Sequence, residues 1–119
     1  MNAGLDFKKT WNFLIDAARE KRLVKYGCIA KANSAPWHSV RLIMPRHLRQ
    51  INEESISSKK VMLGALVVNA AGEVADGARK SIIDHARDAG LFKGAGLADE
   101  QEFILQQRKA CFAQEWTKR

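Results

Sequence analysis

Three arginines are spaced along residues 37–53 so that a helix would carry them on one side. At 100° per residue, the apolar residues of this helix lie within about 80° of one another, and they are Val40, Met44, Leu48 and Ile51. The opposite side would carry His38, Arg41, Arg46, Arg49 and Asn52. Such a helix can pack through its apolar stripe while its guanidinium groups bind phosphates and base edges in a major groove. The pattern therefore predicts a nucleic-acid recognition helix.

Pro45 interrupts this pattern, because proline lacks an N–H donor and its ring clashes with the carbonyl of the preceding turn. Either one kinked helix or two shorter helices would satisfy the apolar spacing. We expect a division at Met44, with the second piece running from Pro45 to about Glu54. Residues 55–60 are polar and lack periodicity, so we expect a loop in which Lys59 and Lys60 approach the DNA.

The distribution of charge agrees with a nucleic-acid surface. The chain has 119 residues and a formal net charge of +7. Residues 1–60 contain 12 Lys/Arg and 5 Asp/Glu, which gives 12 − 5 = +7, whereas residues 61–119 contain 8 of each and are neutral. The excess positive charge thus lies in the half that carries the predicted recognition helix, as a nucleic-acid footprint requires.

Patterns that would indicate catalysis are weak. The three histidines have no acidic partner at metal or triad spacing, and no phosphate-binding glycine loop appears. Cys28 and Cys111 lack metal-ligand spacing, and we interpret them as buried thiols in a reducing compartment. No apolar run is long enough to span a membrane, and the first residues lack a signal-peptide pattern. We expect a cytoplasmic protein that is not an enzyme and uses no metal or cofactor.

The remaining elements follow from periodicity and turn residues. Asp6 is expected to cap a first amphipathic helix over residues 6–20. A short strand, a short helix and a turn should follow at residues 23–26, 28–33 and 34–36. The apolar run at residues 63–69 predicts a buried strand, with residues 70–72 as the turn of a hairpin wing, and further helices are expected at 79–89, stopped by Gly90, and at 98–117.

The last predicted helix has apolar residues on more than one side, which is typical of a helix that packs against more than one surface. Leu105, Phe112 and Trp116 would be surplus to a single core face. Both a monomer and a homodimer stay open at this point.

These elements predict one domain with a mainly α fold and a small β wing (α+β). The expected architecture is a winged helix-turn-helix core over about residues 6–77, followed by a C-terminal helical extension over about residues 78–119. A chain of this length has room for one hydrophobic core.

The blocks at residues 24–30, Val40-Arg41 and residues 66–72 together resemble the winged-helix domain of DNA alkyltransferases and alkyltransferase-like proteins. They also resemble a set of uncharacterised small prokaryotic winged-helix proteins whose wing ends in Leu-Val-Val-Asn. The resemblance covers about residues 23–77 and implies that Tyr26 contacts a phosphate and that Arg41 is the intercalating arginine. Where the alkyltransferases have their Cys-His pair, this chain has Ala65-Leu66-Val67, so alkyl transfer is not expected.

The sequence thus favours a non-enzymatic DNA-binding protein that contacts duplex DNA through a basic helix and wing. The expected contact residues are Tyr26, His38, Arg41, Arg46, Arg49, Asn52, Lys59 and Lys60. The alternative is a small protein-binding module, such as a phage-type inhibitor or an immunity protein, that uses the same fold to bind another protein.

Overall fold

The computed structural model describes residues 4–119 of the chain. Its helices are α1 (Phe7–Arg19), α2 (Tyr26–Ala32), α3 (Trp37–Val40), α4 (Met44–Lys59), α5 (Asp76–Asp88) and α6 (Leu97–Ala113). A 3-10 helix spans Leu63–Leu66, and two short strands, β1 (Val24–Lys25) and β2 (Val67–Val68), form a sheet. The predicted mainly α fold is confirmed at this level, with a small parallel sheet beside the helices.

Helix α1 forms where the apolar periodicity predicts it. The Oδ2 atom of Asp6 accepts a hydrogen bond from the backbone N–H of Lys9 at 2.9 Å, which satisfies one of the free donors of the first turn. The inward face of α1 carries Trp11, Leu14 and Ile15, all of which are buried. This helix therefore supplies one wall of the main core.

The predicted division of the basic segment is confirmed. Helix α3 ends at Val40, and α4 begins at Met44 with Pro45 in its first turn, where the missing N–H costs nothing. Helix α4 then continues to Lys59, so the loop expected at residues 55–60 is wrong. Ser55 and Ile56 are buried, and their packing extends the helix beyond the residues whose spacing looked periodic.

The sheet contains the short strand expected at residues 23–26 and corrects the predicted wing. Val24 pairs with Val67 and Lys25 with Val68, so the early strand does pair with the later Leu/Val run. The pairing is parallel, however, and within residues 69–75 no second strand follows β2 to form a wing hairpin. Asn69 instead closes a turn, in which its Oδ1 accepts from the N–H groups of Ala71 and Glu73. Only two residues, 74 and 75, separate this turn from α5, too few for a returning strand.

The first part of the strand predicted at residues 63–69 forms the 3-10 helix because side chains take its backbone donors. Met62 N–H donates to Oε1 of Gln107 at 2.8 Å, and Leu63 N–H donates to Oγ of Ser55 at 3.0 Å. Gly64 N–H donates to Oδ1 of Asn52 at 2.7 Å. With these N–H groups satisfied by α4 and α6, the segment has no need of a strand partner.

The interior of residues 4–119 contains two hydrophobic clusters. The larger one joins α1, α2, α4, the 3-10 helix and the C-terminal segment. The smaller one lies between the end of α4 and helices α5 and α6, and includes Met62, Phe92 and Phe103. The chain leaves α5 at Gly90, which has a φ of +77°, so the predicted glycine stop is confirmed.

Helix α6 ends earlier than expected, at Ala113, and the residues after it run in an extended conformation back over α1. Trp116 is buried there, with its ring edge-on to Trp11 at a centroid distance of 5.9 Å. Phe112 is half-buried, whereas Leu105 is exposed. Trp116 is therefore accounted for within the chain, and a homodimer stays a prediction that rests mainly on Leu105.

A buried polar network ties α1 to α2 and α4. Nδ2 of Asn33 donates to Oγ1 of Thr10 at 3.0 Å, and Nε2 of His47 lies 2.7 Å from the same hydroxyl oxygen. Oδ1 of Asn33 accepts from Asp6 N–H at 2.7 Å. Burial lowers the pKa of His47 below its usual range, and the negative charge of Asp6 opposes this shift.

The depressed pKa of His47 predicts that the fold loses stability in mild acid. Between the lowered pKa of the folded state and the usual value of about 6.5, the unfolded chain binds more protons, so stability rises with pH. The contribution of His47 to the free energy of unfolding is complete above the pKa of the unfolded state. It is lost as the pH falls toward the pKa of the folded state. Urea unfolding at pH 7.5 and 5.5 should show a smaller pH dependence for His47→Gln than for the parent chain.

His38→Gln is the matched control, because His38 is exposed. His85 also has a pKa lowered by burial, so part of the dependence should remain in His47→Gln. An equal pH dependence in His47→Gln and the parent chain would contradict the prediction.

Candidate functional site

The three arginines of the basic segment lie on the solvent side of the fold. Arg41 follows the last residue of α3, and Arg46 and Arg49 lie on α4; all three are exposed. The stripe that faces inward from this segment is buried, and consists of Val40, Met44, Leu48 and Ile51. Arg49 has an ion pair with Glu53 at 3.6 Å, in which both side chains are about half exposed and the interaction is weak. Within residues 4–119, Arg41 and Arg46 have no ion pair.

The other predicted cations are less uniform. His38 is exposed on α3. Lys59 is half-buried at the end of α4, and Lys60 is exposed just beyond it in a left-handed conformation with φ of 59°. Lys59 is thus the last residue of α4 and Lys60 its C-cap, so the two lysines do not lie in the loop that the sequence predicted.

The structure corrects the position predicted for Asn52. This side chain is only 6% exposed, and its Oδ1 is occupied by the N–H of Gly64. Eight residues after Met44 a helix has turned by about 80°, which places Asn52 beside the apolar stripe and not opposite it. Asn52 consequently faces the interior and a neighbouring cleft.

That cleft has a volume of about 320 Å³ and separates α3 and α4 from α5. Its wall includes Tyr26 and Trp37, whose rings are tilted by 34° at a centroid distance of 6.2 Å. The residues that surround the cleft are Tyr26, Trp37, Arg41, Met44, Pro45, Leu48, Arg49, Asn52, Gly64, Val67, Gly77, Ala78, Ser81, Ile82 and His85. Most of these are apolar, so the few polar groups define what the cleft can recognise.

Tyr26 is half-buried, and burial raises the pKa of its hydroxyl above its usual range. The group is therefore a neutral hydrogen-bonding phenol at physiological pH. Its ring lies beside Trp37 at the cleft, so the structure places Tyr26 with an exposed aromatic neighbour that the sequence did not single out.

The electrostatic character of the cleft is positive. None of its lining residues is acidic, whereas Arg41 and Arg49 contribute guanidinium groups. Burial lowers the pKa of His85, and the charge of Arg49 lowers it further, while Glu53 and Asp88 act in the opposite direction. His85 is thus held neutral by its surroundings, and the positive charge of the cleft comes from the arginines.

Nothing in the described residues assembles a nucleophile or metal centre. Among residues 4–119, no group of three His, Cys, Asp or Glu side chains could hold a metal ion. Burial raises the pKa of the Cys111 thiol to about 12, and its Sγ donates to the carbonyl of Met62, so this thiol is inert. Cys28 is exposed, which corrects the expectation of two buried thiols: it lies on the outer face of α2.

Sequence reasoning missed two contributors to the site, Trp37 and His85. Trp37 is 42% exposed, which is high for so large an apolar side chain. The sequence signal that could have indicated this exposure is its position just after Pro36, at the start of a helix. His85 is buried and borders the cleft from α5. No local pattern indicates this, because it depends on how α5 packs across from α4.

In residues 4–119, every helix is too short or too polar to cross a lipid bilayer. Comparison with protein-family models, with curated proteins and with solved structures finds no match to this chain.

Proposed function

We propose that this chain is a non-enzymatic DNA-binding protein that contacts duplex DNA through the surface of α3 and α4. One observation carries the proposal. The break before Pro45 buries the whole apolar stripe of this segment and leaves Arg41, Arg46 and Arg49 exposed. Exposed guanidinium groups on a helix that is anchored from behind are what phosphate and base-edge recognition needs.

The order of elements supports a helix-turn-helix arrangement. Helix α2 is followed by a tight turn, in which Ser34 has a φ of 55°, and then by α3 and α4. A winged-helix relationship is part of the proposal only for the arrangement of its helices, because no second strand follows β2 within residues 69–75. The charge asymmetry of the sequence supports the same surface, because all the excess positive charge lies in residues 1–60. A chromosomal or phage DNA ligand would place the protein in a prokaryotic cytoplasm.

Titration of random-sequence duplex DNA into the purified protein, at about 50 and 200 mM salt, tests the proposal. We expect micromolar binding at low salt that weakens steeply at high salt, because neutralised phosphates release their counterions. Fluorescence anisotropy of labelled DNA gives both affinities. Absence of binding at both salt concentrations would overturn the proposal.

A second candidate function, binding to another protein, is favoured by a different observation. Leu42 is 80% exposed and lies in the break between α3 and α4, next to Arg41 and five residues from the exposed Trp37. Trp and Arg are enriched at the centres of protein interfaces. If Leu42 contacts a protein partner, Leu42→Ser should leave the affinity for DNA unchanged. The same variant should lower the affinity for an isolated partner protein, and the complex of the parent chain with that partner should be insensitive to salt.

A further inference from the structure

The cleft between α4 and α5 has a polar group that its own fold does not use. Oδ1 of Asn52 is fixed by the N–H of Gly64 at 2.7 Å, and this contact also fixes the orientation of the amide, because only an oxygen can accept there. The Nδ2 atom then has no hydrogen-bond acceptor within residues 4–119, although the residue is 94% buried. Every fully enclosed side-chain nitrogen and oxygen in this range has a partner. The free N–H₂ group therefore keeps some accessible surface, and Asn52 is one of the residues that line the cleft.

The surroundings of this donor define the chemistry of a ligand. Tyr26 and Trp37 offer aromatic surface, and Leu48 and Ile82 add aliphatic surface on other sides. Such a slot favours a flat ring. Arg49 lies three residues before Asn52 on α4, so the two side chains are neighbours on the helix surface. A ring that receives a hydrogen bond from Asn52 can thus carry an acid group within reach of Arg49.

Charge makes the preference specific. Arg41 and Arg49 line the cleft, and no carboxylate does. Glu53 lies 3.6 Å from Arg49 just outside the lining, in a half-exposed ion pair that is weak enough for a ligand acid to replace. Each guanidinium presents several donors in a plane, which suits a carboxylate or a phosphate. The volume of about 320 Å³ lies at the lower end for small-molecule sites, so we expect it to hold a flat unit of one or two fused rings, with any further group reaching out of the cleft.

We propose that this cleft is a binding site for a small, flat ring compound that bears a carbonyl acceptor and an acid group. Asn52 Nδ2 donates to the carbonyl, Trp37 and Tyr26 contact the ring, and Arg49 with Arg41 binds the acid. The inference goes beyond DNA binding, since the ligand is a free small molecule. Two sources share this chemistry, an aromatic carboxylate with a ring carbonyl and a 6-oxopurine nucleotide, and separate probes distinguish them.

The test uses nuclear magnetic resonance of the full ¹⁵N-labelled chain, without DNA. The carboxylate probe is 4-oxo-1H-quinoline-2-carboxylate, the phosphate probe is inosine 5′-monophosphate, and the neutral control is 4-quinolone. We expect at least one acid probe to shift the Trp37 indole and Asn52 amide signals, with the neutral control binding about tenfold more weakly, as loss of a charged hydrogen bond predicts. The indoles of Trp11 and Trp116 donate to backbone carbonyls inside the protein and should stay unshifted.

Two variants separate this site from general basic charge. Arg49→Gln should lower the affinity for the acid probe about tenfold. Arg46→Gln, on the same helix but outside the cleft, should leave this affinity unchanged. Asn52→Asp keeps the acceptor for Gly64 N–H and replaces the free donor with a carboxylate, so it should abolish binding. If Asn52→Asp does not fold, the two arginine variants decide the question alone.

The proposal is supported if either acid probe binds and if Arg49→Gln weakens that binding. The probe that binds then shows whether the acid group is a carboxylate or a phosphate. The proposal is overturned if neither acid probe shifts Trp37, if 4-quinolone binds as tightly as the acids, or if Arg46→Gln weakens binding as much as Arg49→Gln. Because this experiment contains no DNA, a negative result would overturn only the small-molecule site. The DNA-binding proposal is tested separately by the DNA titration.

Discussion

Replacing Trp116 with alanine is expected to lower the free energy of unfolding by about 3–5 kcal/mol, the usual cost of truncating a buried aromatic side chain. A loss of this size is a large fraction of the stability of a typical small domain. Trp116 is buried and packs edge-on against Trp11. Its Nε1–H donates to the carbonyl of Cys111 at 2.8 Å, and this carbonyl would lose its partner in the variant.

The loss should extend beyond the indole, because the neighbouring contacts depend on the position of the C-terminal segment. Nε1 of Trp11 donates to the carbonyl of Thr117 at 3.0 Å, and Arg19 donates to the carbonyl of Trp116 at 2.8 Å. Arg119 lies over the ring of Trp11 at 4.5 Å from its centroid. Without Trp116 the segment has little apolar surface to hold it against α1, and these contacts weaken together.

Trp37→Ala is the matched control, because it removes the same side chain from an exposed position. Urea unfolding followed by circular dichroism should show a large fall in the midpoint for Trp116→Ala and a shift of less than about 1 kcal/mol for Trp37→Ala. Equal losses in the two variants would contradict the packing described for the C-terminal segment.

The second large effect concerns DNA. The double variant Arg46→Ala/Arg49→Ala is expected to lower duplex affinity at about 50 mM salt by at least tenfold, because each charged hydrogen bond to phosphate contributes about 1.5–3 kcal/mol. The slope of log affinity against log salt concentration should also decrease in magnitude by about 0.9 for every phosphate contact that is lost. Both side chains are exposed on α4, so their removal should leave the fold intact.

The charge-matched control is Lys93→Ala/Lys109→Ala, which removes two exposed cations from the neutral half of the sequence. Anisotropy titrations at several salt concentrations measure both affinity and slope. The slope of the control should equal that of the parent chain. If the two double variants weaken binding equally, α4 is not the reading surface, and only net charge matters.

Much of the fold follows from local patterns in the sequence. The spacing of apolar residues in α1, the cap at Asp6, the division at Pro45 and the stop at Gly90 depend on neighbours within a few residues, and the structure has each of them. The errors arise where distant side chains decide. Residues 55–59 are helical because Ser55 and Ile56 pack inward, and Leu63–Leu66 is a 3-10 helix because Ser55, Asn52 and Gln107 take backbone donors near its start.

The candidate site divides in the same way. The exposure of Arg46 and Arg49 could be predicted, since it follows from the angle between residues on one helix. The cleft could not, because it requires α5, which is separated from α4 by the 3-10 helix and β2, to lie opposite Trp37 and Asn52. The position of His85 at the cleft is therefore visible only in the tertiary structure.

The stretch of residues 61–68 has a consequence for the unfolded chain. All eight of its residues are buried, and it contains neither charge nor proline. Uncharged segments rich in Leu and Val, when released from a fold, are those that associate into intermolecular β-structure. In the native protein the surrounding helices enclose this stretch, and the strand within it is only two residues long, which leaves little edge for another chain to join. Lys59 and Lys60 lie directly before this stretch, in the position in which charged residues oppose such association when the tertiary packing opens.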